Sequence, residues 1–145
     1  MEVTDTNILD CTEICVGSPR ERGRFIPASS LFDIVKNNPD KEIYRSLFYM
    51  DNSALSVKSI TDYKGKFHLP RLLFDFDLKK SGQKLINQVL NFRQSLYDRG
   101  AKEVHIWFSG RGFHVVCPDY YGFDNSENLP SVVKETLFRD FKGHD

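Results

Sequence analysis

The chain has little of what would place it in several large protein classes. It carries no net charge, with 20 basic residues against 20 acidic in 145, so a uniformly basic nucleic-acid clamp is excluded while a local basic site is not. The balance is even along the chain, with 9 basic and 10 acidic residues through position 70 and 11 and 10 after it. It has no apolar run of membrane length, no repeat, no low-complexity tract and no recognisable signal peptide, so a soluble, intracellular protein without a membrane partner is expected. Cysteine is scarce, and the odd total of three fits a reducing compartment better than a disulfide scaffold. Cys11 and Cys15 have a spacing that could serve zinc, with Cys117 and a histidine as partners, but a second tight ligand pair is missing. Small buried thiols are the simpler reading. The length suits one domain over 1–145, made of an N-terminal α/β part (1–70) and a core (71–145).

What the sequence does have is concentrated between Arg71 and Cys117. An apolar run closes on paired acids: Leu72, Leu73, Phe74, Asp75, Phe76, Asp77. In a strand, Leu73, Asp75 and Asp77 share one face, and Leu72, Phe74, Phe76 and Leu78 share the other, which is plainly a core face. Carboxylates two strand positions apart lie ~6.5 Å from each other and repel by roughly 2 kcal/mol at an effective dielectric of ~20, so a cationic group should sit between them. Farther on, Val104–Ser109 and Gly112–Cys117 read as two strands joined by Gly110 and Arg111, a two-residue hairpin turn. That turn pairs Phe108 with Phe113, Trp107 with His114 and Ile106 with Val115. Val104, Ile106, Phe108, Phe113, Val115 and Cys117 then face the core. Asp75, Asp77, Ser109 and His114 share the opposite face, together with His105 and Trp107, which could stack a base or merely shield the sheet.

The rest of the chain frames this stretch. Glu13 to Val16 suggests a short strand, and Arg20, Arg22 and Arg24 follow in a loop that could grip phosphate but reads more simply as solvated. Ser29 or Ser30 can cap a helix through Val35 that Asn38 and Pro39 end. Glu42 to Met50 alternates as one interior strand, and a weak strand is expected near Leu55 to Ile60. After the Asp75 strand, Leu85, Val89, Phe92 and Leu96 form the buried stripe of a helix stopped at Gly100. A last helix starts near Pro130, carries Val133, Leu137 and Phe141 on its apolar face and ends at Gly143. The fold class is therefore α+β. From Arg71 the order strand, helix, strand, strand, helix is a split βαβ of ferredoxin or RNA-recognition-motif (RRM) type whose last strand is missing.

The two strings together resemble the motifs of the archaeo-eukaryotic primase (AEP) superfamily, which includes primase small catalytic subunits and primase-polymerases. An apolar strand ending Asp75-Phe76-Asp77 matches its first motif, and Ser109-Gly110-Arg111-Gly112-Phe113-His114 matches its second. The resemblance implies a DNA primase or primase-polymerase nucleotidyltransferase acting on a DNA template. Asp75 and Asp77 would hold two Mg²⁺ or Mn²⁺ ions, and Ser109, Arg111, Gly112 and His114 the triphosphate of an incoming nucleoside triphosphate. A helicase or accessory primase subunit would be a partner. The family's third motif, a carboxylate on a later strand, cannot be placed; Asp140 and Asp145 are available, but neither is on a strand, and a fragment lacking that motif is expected. The alternative is a non-catalytic nucleotide- or nucleic-acid-binding module of RRM type. A phosphatase of the haloacid dehalogenase kind, with Asp75 as nucleophile and Asp77 as acid/base, is disfavoured because Lys79 stands where that family has Thr or Val.

Overall fold

The computed structural model describes residues 8–78 and 82–141, a mixed α+β protein with two antiparallel sheets and three α-helices among those residues. Two compact units emerge from its contacts: Met1–Leu69 with Asp124–Thr136, and Pro70–Phe123 with Leu137–Asp145. The chain thus passes from the first unit to the second beside the 70/71 division drawn from the sequence, and Asp124–Thr136 groups with the earlier residues. No helix among the described residues is long and apolar enough to cross a membrane.

The first unit is built on β1 (Cys11–Val16), buried over Cys11–Cys15. It pairs with β2 (Arg24–Pro27) on one side and with β3 (Ile43–Arg45) and β4 (Tyr49–Met50) on the other, and β5 (Phe67–His68) joins β4. The single strand expected over Glu42 to Met50 is therefore broken. Ile14 pairs with Arg45 and Cys11 with Met50, so three steps along β1 face five along its neighbour. The two extra residues bulge out, and the buried Thr12 hydroxyl lies 3.3 Å from the carbonyls of both Ser46 and Phe48. The strand expected near Leu55 to Ile60 is also absent. Asn52–Ser56 and Ile60–Asp62 are 3₁₀ turns, because the side chains of Asp51 and Ser59 cap them by accepting from the N–H groups of Ser53 and Thr61. Helix α1 (Leu31–Asn37) lies where expected, but Ser30 is already helical and makes no side-chain cap; the stop is Asn38, whose amide donates to the Ile34 carbonyl at 2.8 Å.

The second unit holds β6 (Arg71–Asp77), α2 (Gly82–Asp98), β7 (His105–Phe108) and β8 (Gly112–Pro118). Its sheet runs in the order β6-β8-β7, with β8 antiparallel to both neighbours, so β6 and β7 are parallel and α2 connects them. Leu85, Val89, Phe92 and Leu96 are the buried stripe of α2. Gly100, at φ +106°, ends it: its N–H donates to the Tyr97 carbonyl at 3.0 Å and that of Ala101 to Leu96 at 2.9 Å, the paired bonds of a Schellman stop. The ring of Phe92 packs against Phe74 and Phe76 at 4.8 and 5.1 Å, which places α2 on that face of the sheet. Phe141 closes over Phe74 at 5.1 Å, just past the end of α3 (Leu129–Asp140). Two residues assigned to the core side are not buried: Phe108 touches Phe113 at 5.4 Å yet stays 67% exposed, and Leu78 is 48% exposed. Phe108 ends an edge strand with a neighbour on one side, and Leu78 lies past the last residue of β6. The expected helix end at Gly143 and the turn residues Lys79 to Ser81 fall outside the described residues.

Candidate functional site

The candidate residues meet on the face of the second unit's sheet opposite α2. Strand alternation sends Phe74 and Phe76 towards Phe92 and therefore Asp75 and Asp77 the other way. Across the sheet, Asp75 pairs with His114 and His114 with Trp107, the register that the two-residue turn implies. One row along, Asp77 pairs with Gly112, and the Ser109 N–H donates to the Gly112 carbonyl at 2.9 Å to close the hairpin. The other row is Leu73, Val116 and His105.

Two glycines make this hairpin possible for different reasons. Gly110 sits at φ +93°, a left-handed conformation that a side chain would strain. Gly112 has room for no side chain: a Cβ there would lie 1.9 Å from the Phe76 carbonyl oxygen. The absent side chain lets the end of β6, with Asp77, close directly on the turn. The Arg111 carbonyl then accepts from the Leu78 N–H at 2.7 Å, tying the turn to the chain just past β6.

Asp75 and His114 are in contact, with Nε2 3.3 Å from Oδ1, and their side chains are 57% and 39% exposed. His114 therefore supplies the polar neighbour that the strand's acids require, and it does so for Asp75. Asp77 is exposed and takes no hydrogen bond or ion pair among the described residues. Arg111 and Ser109, both exposed, flank the same turn.

The neighbouring carboxylates of this unit are already committed. Asp119 accepts from the N–H groups of Tyr121 and Phe123 at 2.9 and 2.8 Å, which shapes the loop after β8. Asp140 accepts from the Tyr121 hydroxyl at 2.7 Å and from Arg139 Nε at 3.0 Å; the Tyr121 bond first and Arg139 second hold its carboxyl below the usual range. Burial, reinforced by the bond to Asp140, pushes the Tyr121 phenol up. Asp140 is thus a strut between α3 and the Tyr121 loop. Asp145, the other carboxylate considered as a third ligand, lies outside the described residues. These locked carboxylates were not legible from the sequence; an aspartate followed by Tyr120 and Tyr121 is the one signal that hinted at a loop clasp.

The arginine loop of the first unit resolves into structure rather than a phosphate grip at Arg22. The Arg22 guanidinium holds Glu13 in two bonds, Nη2 to Oε1 at 2.8 Å and Nε to Oε2 at 3.1 Å, and the Gly23 N–H adds a third at 2.9 Å. Burial pushes the Glu13 carboxyl up, but the Arg22 and Gly23 hydrogen bonds outweigh it and the net shift is down. Cys11, Cys15 and Cys117 are buried free thiols. Burial, with Asp10 adding at Cys11 and Asp119 at Cys117, pushes each of these two up to about 11, away from the thiolate that binds metal. No group of three or more His, Cys, Asp or Glu able to hold a metal ion occurs among the described residues.

The Asp75 and Asp77 donor set does fit one hard cation. Two exposed carboxylates on one sheet face supply oxygen donors suited to Mg²⁺ or Mn²⁺, which ordinarily take one or two carboxylates and complete their shell with water and substrate phosphate. No protein-family model, curated protein or solved structure matches this chain.

Proposed function

We propose that the second unit is the nucleotide-binding heart of a DNA primase or primase-polymerase nucleotidyltransferase of AEP type, built on an RRM-like split βαβ sheet. The observation that carries this reading is the cross-strand pairing of Asp75 with His114 at 3.3 Å, one row from Asp77 and the Gly112 turn. It joins a carboxylate pair to a cluster of phosphate donors within one small patch of sheet.

Each residue has a distinct task in this reading. Asp75 and Asp77 would hold Mg²⁺ or Mn²⁺, which when bound neutralises phosphate charge. Ser109 and Arg111 offer hydroxyl and guanidinium donors to the triphosphate from the hairpin end, and His114 offers its imidazole from the adjacent row. The bare Gly112 keeps the turn low, so that phosphate can approach the backbone closely. His114, by contacting Asp75, also fixes where that carboxylate stands relative to the phosphates. Two carboxylates balance one divalent ion well and a pair of them poorly, so tight nucleotide binding with slow strand extension is expected from the described residues. A DNA template, and a helicase or accessory subunit, are the partners that this activity would require.

The exposed Trp107 beside His114 favours a second reading, a non-catalytic nucleotide- or nucleic-acid-binding module. Nucleotide and oligonucleotide binding measured with Mg²⁺ and in EDTA separates the two. The primase reading predicts nucleotide affinity that falls steeply from tri- to monophosphate, varies little among the four bases and collapses in EDTA. Oligonucleotide binding that is equally tight in EDTA, with no preference for triphosphate, would favour the module.

A further inference from the structure

We infer that Trp107 is the base platform of this site: it stacks the base of the nucleotide whose triphosphate lies over Asp75 and His114. The inference rests on the nucleotide-binding reading above and adds to it a residue that sets where the base goes. Trp107 is the only tryptophan in the chain, and it is 62% exposed on a strand whose other face is apolar. A large apolar ring left in water on a polar face is a poor stabiliser of the fold, since most of its surface is never buried.

Its position explains the exposure. Asp75, His114 and Trp107 form one row across the sheet, each directly paired with the next. Adjacent strands are ~4.8 Å apart, so the row carries a ligand roughly 10 Å from the carboxylate to the indole. An extended nucleotide with its phosphates at the Asp75 and His114 end brings its base over the third position. Paired positions point to the same side of a sheet, so the indole shares the carboxylate's face. Stacking on an aromatic face is tolerant of base identity, because every base has a π-face, and this fits a polymerising enzyme that must accept all four. His105 lies on the same strand and face, next along from Trp107, where it can border the base without lying in the phosphate row.

The single tryptophan makes the test direct. Intrinsic fluorescence of the intact chain is followed in Mg²⁺ while a nucleoside triphosphate, or inorganic tripolyphosphate, is added; equilibrium dialysis measures binding independently. Quenching by all four nucleoside triphosphates is expected, with tripolyphosphate binding but leaving the emission unchanged. By dialysis, Trp107→Ala should weaken nucleoside triphosphate about tenfold or more and leave tripolyphosphate affinity unchanged, while Trp107→Phe restores most of the loss. If the nucleotide binds without quenching and Trp107→Ala binds it as well as the parent, the platform is refuted and the phosphate site stands. If neither ligand binds, the nucleotide-binding reading itself fails and the platform falls with it.

Discussion

Glu13 and Asp75 are both carboxylates in the middle of a β-strand, and their surroundings could hardly differ more. Glu13, with a side chain 5% exposed, has both oxygens taken by Arg22 and a third bond from the Gly23 backbone. Asp75, with a side chain 57% exposed, has a single neighbour in His114 at 3.3 Å. A carboxylate with every acceptor site satisfied from within has nothing left to offer a cation or a phosphate-bound metal. One that is exposed and under-partnered, two positions from a second such group, keeps its lone pairs for a ligand. Asp119 and Asp140 fall with Glu13, whereas Asp77 falls with Asp75. This sorting, rather than the count of acids, marks the face of β6 as the place where chemistry can occur.

Four changes should break or sharpen the contrast. The largest effect is expected at Gly112, where any Cβ meets the Phe76 backbone: Gly112→Ala should cost about 3 kcal/mol in chemical denaturation and weaken the β6–β8 pairing that carries Asp75 and His114. Gly110→Ala, with open space around it and a positive φ to strain, should cost only about 1 kcal/mol. Next, Arg22→Ala strands the buried Glu13 with one backbone bond, and about 2 kcal/mol should be lost; the value sits below that of a fully buried pair because the Arg22 side chain is 62% exposed.

The third test uses pH. The folded state holds the Glu13 carboxyl below its ordinary 4.5, so its contribution is complete above that pH and is lost as pH falls through the lowered folded value. Denaturation curves of the parent and Glu13→Gln should therefore differ by a constant amount from about pH 7 to 5 and converge in more acid solution. A gap that widens below pH 4.5 would contradict the assignment. The smallest effect on stability belongs to the candidate site: Asp75→Asn or Asp77→Asn should change it by less than about 0.5 kcal/mol in metal-free buffer, because each removes a repulsive charge from an exposed face. A loss of several kcal/mol in either would show these aspartates to be structural, like Glu13.

Much of the second unit was legible in the sequence because its cues are local. Gly110 and Arg111 between two alternating runs set the hairpin register, and with it the pairing of Trp107 with His114; Gly100 marked the end of α2 through its own positive φ. The first unit was harder because distant side chains decide its local structure. The break between β3 and β4 depends on Thr12, 34 residues before Ser46, and nothing in Glu42 to Met50 announces it. The 3₁₀ turns at Asn52–Ser56 and Ile60–Asp62 depend on side-chain caps that compete with strand formation. At the site, the row containing Asp75 followed from alternation and turn length. The commitment of Asp119 and Asp140 did not, since it rests on where the Tyr121 loop and the end of α3 come together.

The central claim is that the exposed pair Asp75 and Asp77, and not the other acids, holds a divalent cation. Electron paramagnetic resonance of Mn²⁺ titrated into the intact chain reads this directly, with Asp75→Asn, Asp77→Asn and Asp119→Asn run in parallel. Bound Mn²⁺ should appear in the parent and in Asp119→Asn, and should be lost in either β6 substitution while the fold persists. Mn²⁺ binding that survives Asp75→Asn and Asp77→Asn undiminished would contradict it.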